Sequence, residues 1–212
     1  MYPRIFSCLI GYAFGCFLTA EPVARHYAGK PCSEIGNTGN PGMANIMHAL
    51  GFKPGILVLI GDLVKVILAV VLCRWVLFRS TGAIITLYAG LGCTLGHDFP
   101  VWRKFRGGKG VATSSAAITL FHPLWSLVAH IFGIIVTLST KYLCLAGPIV
   151  PLAFGVCMVL TKQWEAAILS GVFFVLALLC HGSSILGIRD KSTKQTDVLG
   201  ALLKKKKKKK KE

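Results

Sequence analysis

The residues best suited to chemistry lie between Leu95 and Ser115, where Arg103, Lys104, Arg106 and Lys109 crowd one short segment between two apolar runs. Its second half sets Gly107, Gly108 and Gly110 around Lys109, just ahead of a helix start at Val111. Glycines let backbone amides converge without side-chain obstruction, and a helix N-terminus adds partial positive charge. With an ammonium group beside them, that arrangement suits a phosphate. The segment is not a nucleotide P-loop: Arg103 stands where its first glycine belongs, and Lys109 is followed by Gly110 instead of Ser or Thr. The same residues can also be read as a flexible basic loop at a membrane face.

A second polar stretch, Glu21 to Pro54, carries Gly36-Asn37-Thr38-Gly39-Asn40-Pro41-Gly42-Met43-Ala44-Asn45. Three glycines, three asparagines and a threonine in ten residues predict a tight turn lined with uncharged donors and acceptors. A plain surface loop has the same composition. The length of the connection, more than 30 residues in a chain that otherwise joins its apolar runs tersely, favours function. Asp62 and Lys65 stand three residues apart inside an apolar run. A charged pair there must face protein or water, either locking neighbouring helices or supporting the site.

The elements that must position these groups follow from composition. With 54% apolar and 15% charged residues in 212, the chain reads as all-α: one polytopic helical bundle in a membrane. Membrane domain and site occupy residues 1–190; residues 191–212, ending in eight consecutive lysines, are expected to form a disordered basic cytoplasmic tail. The eight cysteines include no Cys-x-x-Cys pair and lie mostly in apolar runs, so no metal site, disulfide framework or cofactor is expected. Met1 to Ala20 begins like a signal peptide, but Leu18 breaks the small-x-small cleavage pattern, and a retained first helix is expected.

The predicted spans are about Ile5–Ala20, Gly55–Leu72, Thr81–Leu95, Val111–Phe121, Leu124–Ser139, Cys144–Leu160 and Trp164–Cys180. Gly11 and Gly15 in the first have the spacing of close helix contact, and Glu21-Pro22 is read as its end. If His122-Pro123 is a turn there are seven spans, and if a kink there are six. Seven places Arg25, Lys30, Lys53, the basic loop, Lys141 and the C-terminal cluster on one side, leaving Arg4, Arg74, Arg79 and Lys162 on the other. The excess of basic residues then marks the cytoplasmic side, with the Asn/Gly loop, the basic loop and the His181 segment meeting there. A fourth span of 11 residues reaches only about 17 Å, so part of the glycine loop is expected to dip into the membrane.

In order along the chain, Gly39-Asn40-Pro41-Gly42-x-x-Asn45, Leu50-Gly51, Asp62-x-x-Lys65, Gly96-His97-x-Phe99-Pro100 and Phe105-x-Gly107-Gly108-Lys109-Gly110-Val111-Ala112-Thr113 resemble the acyl-phosphate:glycerol-3-phosphate acyltransferases, the PlsY family. The similarity runs from about Tyr12 to Arg189, and the glycine-lysine motif is its most specific part. The resemblance implies a bacterial inner-membrane enzyme with seven spans and a cytoplasmic site. It would pass an acyl group from acyl phosphate to the sn-1 hydroxyl of glycerol 3-phosphate, giving lysophosphatidic acid. The lipid bilayer and an acyl-phosphate-forming enzyme are the implied partners, and nucleic acid is not one. By position, the family's first-motif serine falls on Thr38, a later arginine on His48, the loop lysine on Lys109 and the third-motif histidine on His181. Ser184 stands for an asparagine, Gly187 for an arginine, and Cys32-Ser33-Glu34 for Asp-Ile-Arg.

On that resemblance, Lys109 with the amides of Gly107, Gly108 and Gly110 would stabilise charge on the donor phosphate. Thr38, Asn40, Asn45, His48 and Ser184 would position phosphates, and His181 or His97 would accept the proton of the attacking hydroxyl, unless a substrate phosphate does so. His26, His122 and His130 are read as structural. The departures gather in the first and third motifs, leaving two other readings open: a related acyltransferase with a different small acceptor, and a non-catalytic paralogue that binds phosphate only. The other acyltransferase signature, His-x-x-x-x-Asp, is absent, since Leu57, Cys93, Ile185 and Ser192 precede the four aspartates at that spacing.

Overall fold

The computed structural model describes residues 1–193 and 195, and the regular elements among them are all helical. The α-helices in order are α1 (Tyr2–Gly15), α2 (Ala20–Ala28), α3 (Met43–Leu50), α4 (Phe52–Val70), α5 (Ile85–Asp98), α6 (Val111–Phe121), α7 (Pro123–Thr140), α8 (Ala146–Leu160) and α9 (Trp164–Arg189). Five stretches are long and apolar enough to cross a membrane: Tyr2–Ala28, Phe52–Leu77, Pro123–Thr140, Leu143–Leu160 and Trp164–Arg189. At 1.5 Å per residue, α5 and α6 reach only about 21 and 17 Å, short of the ~30 Å of hydrocarbon. Five of the seven expected spans fall in these longer stretches, the first of them broken between α1 and α2. Of the expected tail, residues 191–193 turn back onto α9, Gln195 donates to the Tyr142 hydroxyl, and the rest lies outside the described residues.

Helix α5 is the axis of the bundle. Nearly all its residues are buried, because α1, α4, α6 and α9 pack around it. Such a helix has no polar face to present. Its closest neighbour is α1, and glycines set that approach from both sides: a Cβ on Gly11 or Gly15 would strike the carbonyls of Ala89 or Cys93. A Cβ on Gly92 or Gly96 would strike those of Cys8 or Tyr12. The expected close contact at Gly11 and Gly15 is thus made with backbone, where dispersion holds two helices that apolar lipid does not drive together. At the end away from the basic loop, Arg4 forks onto Glu165 with one contact of 2.9 Å, and Tyr88 donates to the same carboxylate at 2.9 Å, tying α1, α5 and α9.

Three boundaries differ from the sequence reading. The first span breaks after Gly15 instead of running to Ala20, because side chains from elsewhere take the carbonyls that would continue it, as described below. Pro22 falls in the first turn of α2, where its missing N–H costs nothing, so it opens a helix where the sequence predicted an end. Helix α9 runs on to Arg189, well past Cys180, since Gly182-Ser183-Ser184 interrupts its apolar face without interrupting its backbone bonds. His122 does leave helical geometry (φ −144°, ψ 88°) and Pro123 opens α7, so α6 and α7 are separate helices.

The α1–α5 contact yields the first prediction. Gly92→Val should destabilise the protein by the ~1–3 kcal/mol typical of overpacking or more, read as a lower unfolding midpoint in detergent. Gly171→Ala, where an added Cβ meets nothing within 4 Å, should leave that midpoint unchanged or raised. Equal midpoints for the two variants would refute the backbone contact.

Candidate functional site

A buried ionic cluster holds the site end of the bundle. Asp62 and Lys65 on α4, and His97 on α5, are all nearly inaccessible to solvent. The Lys65 ammonium lies 3.0 Å from Asp62 Oδ1 and 2.8 Å from His97 Nδ1. It also donates to the carbonyls of Gly15 (3.3 Å) and Phe17 (2.9 Å), while the Trp102 indole donates to Cys16 O at 2.7 Å. These donors end α1: a cation and an indole satisfy its terminal carbonyls and complement the negative end of its dipole. Thr19 in the break closes the cluster through Asp62 Oδ1 at 3.3 Å.

The cluster sets the tautomer of His97. An ammonium only donates, so Nδ1 accepts and the ring proton sits on Nε2. That edge abuts the glycine segment, where a Cβ on Gly108 would collide with Nε2. Gly107 N–H donates to Asp98 O (2.9 Å) and Gly108 N–H to His97 O (2.8 Å), so the segment is stitched along the C-terminus of α5. The amides of Gly107 and Gly108 are therefore occupied in capping α5. Those of Lys109 and Gly110 find no protein acceptor among the described residues. Gly110, at φ 67°, occupies the N-cap of α6 in the left-handed region that glycine tolerates. A Cβ there would also press on the Asp98 carboxylate.

From this seat Lys109 reaches across to α9, where its Nζ donates to Ser184 Oγ at 3.0 Å. One turn earlier, His181 is buried with its Nδ1 donating to Ala177 O at 2.9 Å, which leaves the Nε2 lone pair free. Its ring packs on Gly147 in the first turn of α8, where a side chain would not fit. A cation on a glycine turn, a hydroxyl and an imidazole with an open acceptor edge thus meet where α6, α8 and α9 come together. They can hold an anion and receive a proton.

Residues 5–191 match the profile of the glycerol-3-phosphate acyltransferase family, most of the chain. The chain belongs to that family. Glycerol-3-phosphate acyltransferase 1 of Lactobacillus acidophilus is 36% identical over 205 residues, covering 95% of this chain and 96% of that protein. Two crystal forms of PlsY (YgiH), an integral membrane glycerol 3-phosphate acyltransferase, share the fold: the glycerol 3-phosphate form (TM-score 0.80, 24% identity) and the lysophosphatidic acid form (TM-score 0.79, 23%). Each covers 94% of this chain and 98% of its own.

Against this family background the acyltransferase motifs fall into two groups. Lys109, His181, Ser184 and the glycine segment come together, with His97 beneath them. The first-motif residues form a separate cluster, and no hydrogen bond joins the two among the described residues. Asn45 holds that cluster: its Nδ2 donates to Ile35 O (2.8 Å) and Asn40 O (3.1 Å), and its Oδ1 accepts from Thr38 at 3.0 Å. Its amide shapes the turn, leaving the Asn40 side chain and the exposed Thr38 on the outside. His48 is exposed on α3 and has no hydrogen-bond partner among the described residues. Around Gly187 the chain folds back, with Thr193 N bonded to Gly187 O (3.0 Å) and Thr193 Oγ1 to Ser184 O (2.7 Å). A side chain at 187 would strike Ser192 and Thr193.

Two residues of the site end escaped the sequence reading. Asp98, buried under Gly110, accepts from the Cys180 thiol at 3.5 Å and keeps Oδ1 without a partner among the described residues. Trp102, which the sequence reading did not single out, is a cap of α1. No periodicity marks either, since their partners are far away in sequence.

The ionic cluster gives the second prediction. Lys65→Met leaves Asp62 buried and unpaired and strips the end of α1, so it should destabilise the protein by about 3–5 kcal/mol. Adding Asp62→Asn should restore part of that loss. Urea or thermal unfolding in detergent reads both, and a double variant no better than the single would rule out the charge-pairing account.

Proposed function

We propose that this chain transfers a fatty acyl group from acyl phosphate to the sn-1 hydroxyl of glycerol 3-phosphate, releasing lysophosphatidic acid and inorganic phosphate. The observation that carries this reading is Lys109 on its glycine turn, bonded to Ser184 one turn from the open edge of His181. An acyl phosphate is already activated, so no covalent enzyme intermediate is required. Lys109, with the free amides at the start of α6, would hold the donor phosphate and neutralise the charge it gains as the acyl–oxygen bond breaks. The acceptor hydroxyl attacks the acyl carbon, and its proton passes to His181 Nε2 and on to the departing phosphate, or to that phosphate directly. Thr38 and Asn40 would line the acceptor side, with Asn45 shaping their turn and His97 supporting the glycine segment.

The same reading places the enzyme in a bacterial inner membrane with seven passes, α5 and α6 being completed by the segments that adjoin them. With seven passes, Arg25, Lys30, Lys53, the basic loop, Lys141 and Arg189 would fall on one side, and that bias supports a cytoplasmic orientation. A soluble acceptor would arrive there from the cytosol, the acyl chain from the bilayer, and the donor from an enzyme that forms acyl phosphates.

Purified protein given palmitoyl phosphate and labelled glycerol 3-phosphate should form labelled lysophosphatidic acid. Labelled product with a different alcohol but none with glycerol 3-phosphate would assign the acceptor elsewhere. Lys109→Ala should cut turnover by about 10²–10³ at saturating donor. Near-normal turnover would remove Lys109 from the donor site. Single cysteines placed beside Asn40, Lys109 and His181, in a chain lacking its native cysteines, should resist labelling from outside intact cells. Efficient labelling beside Lys109 would reverse the orientation.

A further inference from the structure

Between α5 and the glycine segment lie residues 101–106, which the acyl-transfer reading uses only for the Trp102 cap. The stretch is apolar and basic at once. Val101, Trp102 and Phe105 are each more than half exposed, and so is Phe17 in the break between α1 and α2. Phe17 follows Cys16, whose carbonyl accepts from the Trp102 indole at 2.7 Å. The indole N–H is thus satisfied on the protein while much of its ring stays outside. Lys104 and Phe105 both take left-handed backbone (φ 52° and 59°), which non-glycine residues adopt at a cost. Lys104 and Arg106 are exposed and make no ion pair among the described residues. Arg103 differs from them, being half-buried with its guanidinium carbon 5.9 Å from the Trp102 ring centroid.

Depth in the bilayer decides what covers this patch. At the opposite end Arg4, Tyr88 and Glu165 are joined, with Lys162, Gln163 and Trp164 adjoining them, and residues of these types mark a boundary of the hydrocarbon. From Arg4 to Cys16 the chain rises about 18 Å along α1, and from Tyr88 to Asp98 about 15 Å along α5. The loop that Trp102 fastens to Cys16 therefore begins short of the ~30 Å that hydrocarbon spans. Exposed aromatic and aliphatic side chains at that depth meet lipid chains, and they continue the outward face of α1 that carries Leu9 and Phe17. Lys104 and Arg106 have stems long enough to carry their charges out toward headgroup level. No acidic residue lies between Asp98, which is buried, and Glu165, at the opposite end. This part of the chain thus carries positive charge that its own sequence does not balance.

We propose that residues 101–106 form a lipid-binding loop that seats an anionic phospholipid of the surrounding leaflet. The lipid's chains lie on Phe17, Val101, Trp102 and Phe105, and its phosphate meets Lys104 and Arg106. The two halves do different work: apolar contact holds any lipid, and the cations select a headgroup of negative charge. A headgroup held there would also steady the chain just before Gly107 and Lys109. The proposal stands apart from the acyl-transfer reading, since it concerns the lipid around the protein and not a substrate.

The test uses the full chain in phosphatidylcholine nanodiscs, with Trp75→Phe, Trp125→Phe and Trp164→Phe leaving Trp102 as the only tryptophan. Brominated phosphatidylglycerol should quench Trp102 at a several-fold lower mole fraction than brominated phosphatidylcholine. Adding Lys104→Gln and Arg106→Gln should raise the phosphatidylglycerol fraction needed for half-quenching by about five- to thirtyfold. Quenching by brominated phosphatidylcholine should persist in that variant. If the tryptophan replacements do not survive purification, the same glutamine pair is placed in the otherwise native chain. Native mass spectrometry should then show a retained phosphatidylglycerol on the wild type that the double variant loses. Absence of quenching by either lipid would overturn the proposal, because water or a second copy of the chain would then cover the patch. Equal quenching by the two lipids would overturn it as well. So would a preference, or a retained lipid, that the glutamine pair leaves unchanged.

Discussion

The site end of the bundle depends on one buried ammonium. Lys65 has three protons and four acceptors within reach: the Asp62 carboxylate, the His97 ring and the carbonyls of Gly15 and Phe17. Removing a lysine and an aspartate from water costs several kcal/mol for each ion, and the pair is tolerable only with its remaining hydrogen bonds satisfied. Here they are satisfied by three different segments. The same group that neutralises Asp62 ends α1, joins α4 to α5 and holds the imidazole on which the glycine segment rests.

Much of the site geometry follows from that constraint. With His97 Nδ1 occupied by Lys65, the Nε2 edge faces Gly108, and the two glycine amides complete the end of α5 in place of solvent. A loop secured at both Gly107 and Gly108 presents Lys109 from a defined position, and α9 meets it with Ser184. His97 therefore serves by position, while His181 keeps an open acceptor edge. The glycines are required for contact with α5. In this chain a motif that reads as a phosphate cradle is also a helix cap.

The departures from the family pattern also acquire physical neighbours. Gly187 admits the returning Ser192 and Thr193, whose hydroxyls donate to the carbonyls of Gly187 and Ser184, so the space a side chain at 187 would need is filled by backbone and hydroxyls. Cys32 is buried beside Glu21, whose carboxylate accepts from its amide at 3.1 Å. Changes at positions far apart in sequence thus fall at places where segments touch.

Composition and apolar run length alone determined the helical class, the polytopic membrane character and the places of most helices, because hydrocarbon tolerates only self-satisfied backbones. The Gly11/Gly15 contact and the helix break at His122-Pro123 were likewise legible, from small-residue spacing and from proline. Lys109, the glycine segment, His181 and the Asp62/Lys65 pair could be singled out by type and spacing. Their partners could not. That Lys65 ends α1, that Trp102 caps it, that Gly107 and Gly108 bind α5, and that Asn45 closes its own turn were decided by tertiary structure. Each depends on a hydrogen bond formed only after distant segments pack. The sequence shows the donors and acceptors, and the fold chooses among them by the distance and burial it imposes.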